Sequence, residues 1–292
     1  MSQNTQDLLK KIRRIDIKTR GLTQQVFSGE YHAAFKGKGM SFSEVREYQY
    51  GDDIRNIDWN VSARYNHPFV KVFEEERELS VVLLIDVSAS NDFGTQLQFK
   101  KDLITEIAAV LAYSAIYNND KVGVIFFSDT IEKFIPPKKG KSHILQIIRE
   151  LLTIKPQSTK TDLAAALKYL MTVVKKRSIV FVLSDFLDDQ YEFQLKIAAK
   201  KHDVVALKIS DIAESKLTNL GVVPFVDPET GDEIWVDTSK EKLRIGYQAC
   251  AMENDAKIKD IFHRCGIDYA FLYSHINYIP QLIQLFKKRE LR

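Results

Sequence analysis

The chain has 292 residues, 45% of them hydrophobic and 28% charged, with 42 Lys plus Arg against 39 Asp plus Glu. Apolar side chains spread along the whole length exclude disorder as the main state and suffice for one large core or two smaller ones. No apolar run nears the ~18–20 residues of a bilayer span, and two cysteines alone build neither a disulfide framework nor a zinc site. The polar opening MSQNTQDLLKKIRR lacks the apolar core of a secretion signal, so the expected location is the cytoplasm. Basic clusters are short and interleaved with acids, which argues against nucleic acid as a partner.

In chain order, residues 1–79 are expected to form an N-terminal helix and a small β-rich region, rich in Gly, Tyr, Phe and paired charges. From residue 80 the pattern alternates. Ser80-Val-Val-Leu-Leu-Ile-Asp86 is an unbroken apolar run ending in an acid, the signature of a strand covered on both faces. Residues 97–117 carry helical periodicity, and Lys121-Val-Gly-Val-Ile-Phe-Phe127 is a second strand. Only Ser128-Asp129-Thr130 separates it from a third over 131–135, which is too short for a crossover and makes that strand antiparallel at an edge. Helices over 142–153 and 162–176 precede a fourth strand at 178–183. A helix over 191–201, a fifth strand over 203–209, a long helix over about 239–265, a sixth strand at 267–273 and a helix from 278 complete the chain. Between strand five and the long helix, residues at about 222–237 read as an inserted hairpin around Pro228-Glu-Thr-Gly231, with Phe225 or Trp235 expected to pack.

The fold class expected for 80–292 is therefore α/β: a doubly wound, mostly parallel six-stranded sheet, Rossmann-like in the order 3-2-1-4-5-6. Strands one and four then lie side by side where the order reverses, and ligands of such sheets bind beyond the carboxyl ends at that point. Asp86 ends the first of them and Asp185 follows the other.

Asp86-Val-Ser88-Ala-Ser90 sets one carboxylate and two hydroxyls directly after a buried strand, so small oxygen donors can converge as a hard divalent cation requires. Taken alone, the same tripartite pattern is also a Ser-rich turn with an Asp capping the next helix. It is joined by Ser158-Thr-Lys-Thr161-Asp162 before a helix and by Leu183-Ser184-Asp185 after strand four. Together these resemble the von Willebrand factor A domain and its metal-ion-dependent adhesion site. The resemblance implies Asp86, Ser88, Ser90, Thr161 and Asp185 as ligands of one Mg²⁺ or Mn²⁺ ion, and a protein partner that donates an Asp or Glu to it. The pair usually glycine in that family is Thr159-Lys160 here, and Thr159 stands two residues from Thr161.

Upstream, Arg46-Glu-Tyr-Gln-Tyr-Gly-Asp-Asp-Ile-Arg-Asn-Ile-Asp-Trp59, Ser62-Ala-Arg64 and Val70-Lys-Val-Phe-Glu-Glu-Glu-Arg77 resemble the bacterial family known as domain of unknown function 58. That resemblance covers nearly the whole chain. It implies association with a MoxR-type AAA+ ATPase and brings no established enzymatic activity. The charges of this segment read first as ion pairs; Tyr48, Tyr50 and Trp59 are the anchors of an alternative partner surface.

Catalytic signatures fail on inspection. Gly140-Lys141-Ser142 follows a strand, but a phosphate-binding loop needs Gly where Ile135 stands, and Pro136-Pro137 come next. No nucleophile elbow and no His-Glu-x-x-His pattern occur, and the six histidines are scattered. The expected function is a metal-dependent protein-interaction module without catalysis. The competing classes are a metal-dependent phosphoester hydrolase, with Asp188-Asp189 as a weak second metal site, and a nucleic-acid-binding module.

Overall fold

A computed structural model describes residues 3–23, 31, 34, 40–75, 79–88, 100–188, 190–226 and 232–291. The chain divides into two units: residues 36–79, and a larger one made of 1–35 with 80–292. Helix α1 (Gln3–Leu22) thus belongs to the large unit, not with residues up to 79 as its position in the chain suggests. The reason is long-range: Asp16 of α1 accepts a hydrogen bond from the Tyr113 hydroxyl, and Lys18 lies 2.6 Å from Glu106.

In the small unit, β1 (Met40–Glu47) pairs antiparallel with β2 (Phe69–Glu75). Between them run a 3₁₀ turn (Ile54–Asn56) and α2 (Trp59–Tyr65), so the region is mixed rather than purely β-rich. Asp58 nucleates α2 as its N-cap, accepting from the amides of Asn60 (3.0 Å) and Val61 (3.2 Å). Charges here do form local pairs: Arg46 grips Asp52 with two bonds of 2.8 and 2.7 Å, and Arg55 pairs with Asp53.

The large unit is built on six strands. β3 (Ser80–Asp86) is followed by α3 (Lys100–Tyr117), β4 (Lys121–Phe127), β5 (Ile131–Lys138), α4 (Lys141–Thr153) and α5 (Leu163–Val173). Then come β6 (Ile179–Ser184), α6 (Glu192–Lys201), β7 (Asp203–Ser210), the single turn α7 (Ile212–Ser215), and the hairpin β8 (Val222–Val226) and β9 (Glu233–Asp237). Helix α8 (Glu241–Cys265), β10 (Asp268–Tyr273) and α9 (Ile279–Glu290) close it.

The sheet runs β10-β7-β6-β3-β4-β5, which is the expected order, with β5 antiparallel at one edge and the other pairings parallel. Edge placement explains why β5 tolerates Pro136 and Pro137. Gly123 faces Pro137 so closely that a Cβ there would lie 2.9 Å from the proline nitrogen. β3 is dry because helices cover both faces: Val82 and Leu84 join Leu163, Leu167, Leu195 and Phe262 in one cluster, while α3 packs across the opposite face. The chain leaves β3 toward β4 on one side and returns through β6 on the other. That puts the carboxyl ends of β3 and β6 at the switch point.

The inserted hairpin is present, pairing Val222 with Asp237 through Val226 with Glu233, but it is not core. Of the two side chains expected to pack, Phe225 or Trp235, Phe225 is half-buried and Trp235 is 68% exposed, because the ribbon forms its own two-stranded sheet. Its root is fixed by the buried Thr238, whose hydroxyl donates to Gly221 O (2.7 Å) and accepts from Leu220 N (2.9 Å). Truncating Trp235 to Ala should therefore move stability by less than about 0.5 kcal/mol, whereas Phe262→Ala should cost about 3–5 kcal/mol; urea denaturation of both variants checks the contrast.

At the amino-end edge of the sheet, the buried His202 accepts from Ser178 N at 3.3 Å, and its Nε2 has no partner among the described residues. Burial, aided by Lys201 and Arg177, pushes the imidazole down to about 4. The native ring stays neutral while the unfolded ring protonates near 6.5, so its contribution to stability is complete above that value and is lost as the pH falls toward 4. Urea midpoints measured at pH 7, 6 and 5 should fall progressively, and His202→Gln should flatten that slope.

Candidate metal centre

Asp86 is the last residue of β3 and only 1% exposed, so its carboxylate is held by protein rather than water. Ser88 donates to Asp86 Oδ1 twice, from its amide (2.9 Å) and from its hydroxyl (2.6 Å). Ser184, at the end of neighbouring β6, donates its hydroxyl to Oδ2 at 2.8 Å. Asp185 follows at once, buried as well, and it raises the Asp86 pKa electrostatically. Dehydration first, and the Asp185 charge second, push the Asp86 carboxyl up to about 7. Two like charges held in a dry rim favour a bound cation.

The loop after β6 is sharply bent. Phe186 has φ of 56°, a left-handed conformation that costs a residue with a Cβ roughly 1–2 kcal/mol. It is held there by its amide, which donates to Ser184 Oγ at 3.1 Å, and by its buried ring packed edge-on against Tyr191 and Phe262. Asp188 accepts from the Leu163 amide at the start of α5 (2.9 Å) and from Gln190 N (3.0 Å). Its carboxylate thus ties two loops together, a structural role for a residue read as a weak second-metal ligand; Asp189 lies outside the described residues.

Thr161 precedes α5 and lines, with Asp185, a cavity of about 620 Å³, whereas Thr159 is exposed. Ser90 lies outside the described residues. Asp86, Ser88 and Asp185 therefore meet at the ends of two adjacent strands, and Thr161 shares the cavity of Asp185. Among the described residues no three His, Cys, Asp or Glu side chains gather as a metal cluster. The donor set here is instead two carboxylates with hydroxyls, all oxygen, which suits a hard cation such as Mg²⁺ or Mn²⁺.

Three neighbours of this set escaped the sequence reading. Ser184 belonged to a quoted motif but carried no role. Lys100, at 0% exposure, reaches Asp185 Oδ2 (3.4 Å) and Glu214 Oε1 (2.5 Å). One signal could have found it: Lys100 falls on the apolar stripe of α3 with Leu103, Ile107 and Leu111, where a lysine is buried only if paired. Glu214 had no sequence signal linking it to the site.

Residues 44–257 match the profile of the family described as protein of unknown function DUF58, and the chain belongs to that family. It is 27% identical over 287 residues to the uncharacterized protein Rv1480 of Mycobacterium tuberculosis strain H37Rv, covering 97% of this chain and 90% of that protein. Among solved structures it is similar to an aerotolerance-related membrane protein from Bacteroides fragilis NCTC 9343, at a TM-score of 0.47 and 14% identity over 73% of this chain and 98% of that one. It is also similar to the SpRpn10 VWA domain, at a TM-score of 0.35 and 12% identity over 47% of this chain and 77% of that one. Among the described residues, no helix is long and apolar enough to cross a membrane.

Ser184 serves both strand ends, so its hydroxyl can be tested apart from any ion. In EDTA, Ser184→Ala removes one bond from a buried carboxylate and orphans the Phe186 amide, and should cost about 1–3 kcal/mol in urea denaturation.

Proposed function

We propose that the rim of β3 and β6 is a metal-ion-dependent site for capturing a protein partner, and that the chain works as an interaction module rather than an enzyme. The observation that carries this reading is the pair of buried carboxylates, Asp86 and Asp185, on adjacent strand ends with Ser88 and Ser184 hydrogen-bonded around the first. Asp86, Ser88, Ser90, Thr161 and Asp185 are the residues that would hold the ion. When bound, a Mg²⁺ or Mn²⁺ ion supplies a Lewis-acidic position open to a carboxylate oxygen of the partner. Three of the five donors are neutral hydroxyls, and at a position left open by the chain a carboxylate oxygen of a partner Asp or Glu is a stronger ligand for a hard divalent ion than a neutral group.

The partner proposed is a MoxR-type AAA+ ATPase in the cytoplasm, an assignment that rests on the family resemblance. The exposed Tyr50 and Trp59 of the small unit offer the rival docking surface. Against hydrolysis, the second-metal candidate Asp188 is committed to backbone amides.

Asp86→Ala should abolish Mg²⁺ binding in calorimetry, because it removes one of the two anions of the site. Ser88→Ala and Ser90→Ala should each weaken binding about threefold to thirtyfold, since neutral donors contribute less than carboxylates. Retention of the purified ATPase, measured across the same folded variants, should fall in parallel with metal affinity. Full retention by metal-free Asp86→Ala, lost instead in Tyr50→Ala with Trp59→Ala, would reject metal bridging.

A further inference from the structure

Lys100 is the first described residue of α3 and its side chain is entirely buried, and a lysine is kept in that state only where opposite charges offset its dehydration. Carboxylates on two sides, Asp185 and Glu214, supply that charge to its ammonium. The two contacts are unequal, 2.5 Å to Glu214 and 3.4 Å to Asp185. Glu214 is itself anchored: its other oxygen accepts from Asp211 N at 3.0 Å in the capping box of α7. The neighbouring buried cation, Lys208, is occupied by Asp255 (3.0 Å) and the Ser210 hydroxyl (2.8 Å). Among the described residues, the ammonium that reaches Asp185 is therefore that of Lys100.

We propose that Lys100 is the internal counter-cation of the metal centre, sharing Asp185 while no ion is bound and yielding it, toward Glu214, when a divalent cation binds. The inference rests on the metal-centre reading above and adds a specificity-determining residue to it. Its physical basis is that two cations compete for one buried carboxylate. Lys100 neutralises Asp185 in the metal-free chain, and an arriving ion must overcome the ammonium's repulsion. Glu214 is the second carboxylate that lets the ammonium move without losing its partner. Lys100 thereby lowers the affinity of the site and keeps ion binding reversible.

The test uses the full chain, with Mg²⁺ titrated by calorimetry and Tm measured in EDTA and in Mg²⁺. Lys100→Met should bind Mg²⁺ about tenfold tighter or more, because a buried like charge is removed. Its Tm in EDTA should fall, and its rise on adding Mg²⁺ should exceed that of the wild type. Glu214→Gln should act with the opposite sign, weakening Mg²⁺ binding about threefold to tenfold, since the ammonium loses its alternative partner. Lys168→Met, exposed on the cavity shared by Thr161 and Asp185, should change affinity less than about twofold in 0.3 M KCl, where surface charge is screened.

Unchanged or weaker affinity in Lys100→Met, with the wild type binding normally, overturns the counter-cation and leaves the metal centre standing. Mg²⁺ binding by Lys100→Met alone supports Lys100 as the barrier. If neither folded protein responds to Mg²⁺, the metal-centre reading fails and takes the proposal with it. Should Lys100→Met not fold, Glu214→Gln decides: tighter or unchanged binding overturns the proposal, and weaker binding supports it.

Discussion

The rim of the large unit is organised by the burial of two carboxylates at the ends of neighbouring strands. Dehydrating one anion is costly, and setting a second beside it compounds the cost, because Coulomb repulsion grows as water is excluded. What surrounds Asp86 and Asp185 follows from that constraint. Ser88 and Ser184 turn three donors onto Asp86, the Leu187 amide turns toward Asp185, and a fully buried lysine supplies positive charge. A core strand ending this way is poorly designed for stability alone, and local violations of that kind are expected where function is housed.

Rigid support keeps the carboxylates where they are. Phe186 is held in a left-handed conformation by ring packing against Tyr191 and Phe262, so the bend after β6 draws on the hydrophobic core itself. Asp188 fastens the far side of the same bend to the first turn of α5, beside Thr161. The loops that approach the cavity are thus tied to one another through the Asp188 carboxylate, which accepts from the Leu163 backbone amide where the facing loop enters α5, and the side chains on them inherit that rigidity.

The hairpin and the small unit are two of the places where apolar side chains are left in solvent. On the hairpin, Val222, Val226, Ile234 and Trp235 are exposed, and its residues 222–237 include five acids and no Lys or Arg. On the small unit, Tyr50, Ile54 and Trp59 are exposed among charges already paired locally. Both differ in kind from the rim of β3 and β6, where the carboxylates of Asp86 and Asp185 are buried and hydrogen-bonded. A partner that approached that rim would meet carboxylates and hydroxyls, whereas one that docked on the small unit would meet aromatic faces.

The sheet was legible in the sequence because its signals are local and strong. An apolar run ending in Asp86, the three-residue link before β5 and the helical spacers between strands determine the strand order, since crossovers of parallel strands admit few topologies. From that order alone Asp86 and Asp185 had to share one edge. Helix α2 was hidden by its seven-residue length, too short for a period to emerge, although its cap Asp58 was visible. Lys100, Ser184 and Glu214 were beyond reach of the sequence for a different reason. The Lys100 contacts span 85 and 114 residues, and Ser184 reaches Asp86 across 98. Pattern along the chain determines which residues are buried and on which strand they end. Which buried charge meets which is decided only when distant segments pack, because the electrostatic cost of an unpaired buried ion exists only once the water has gone.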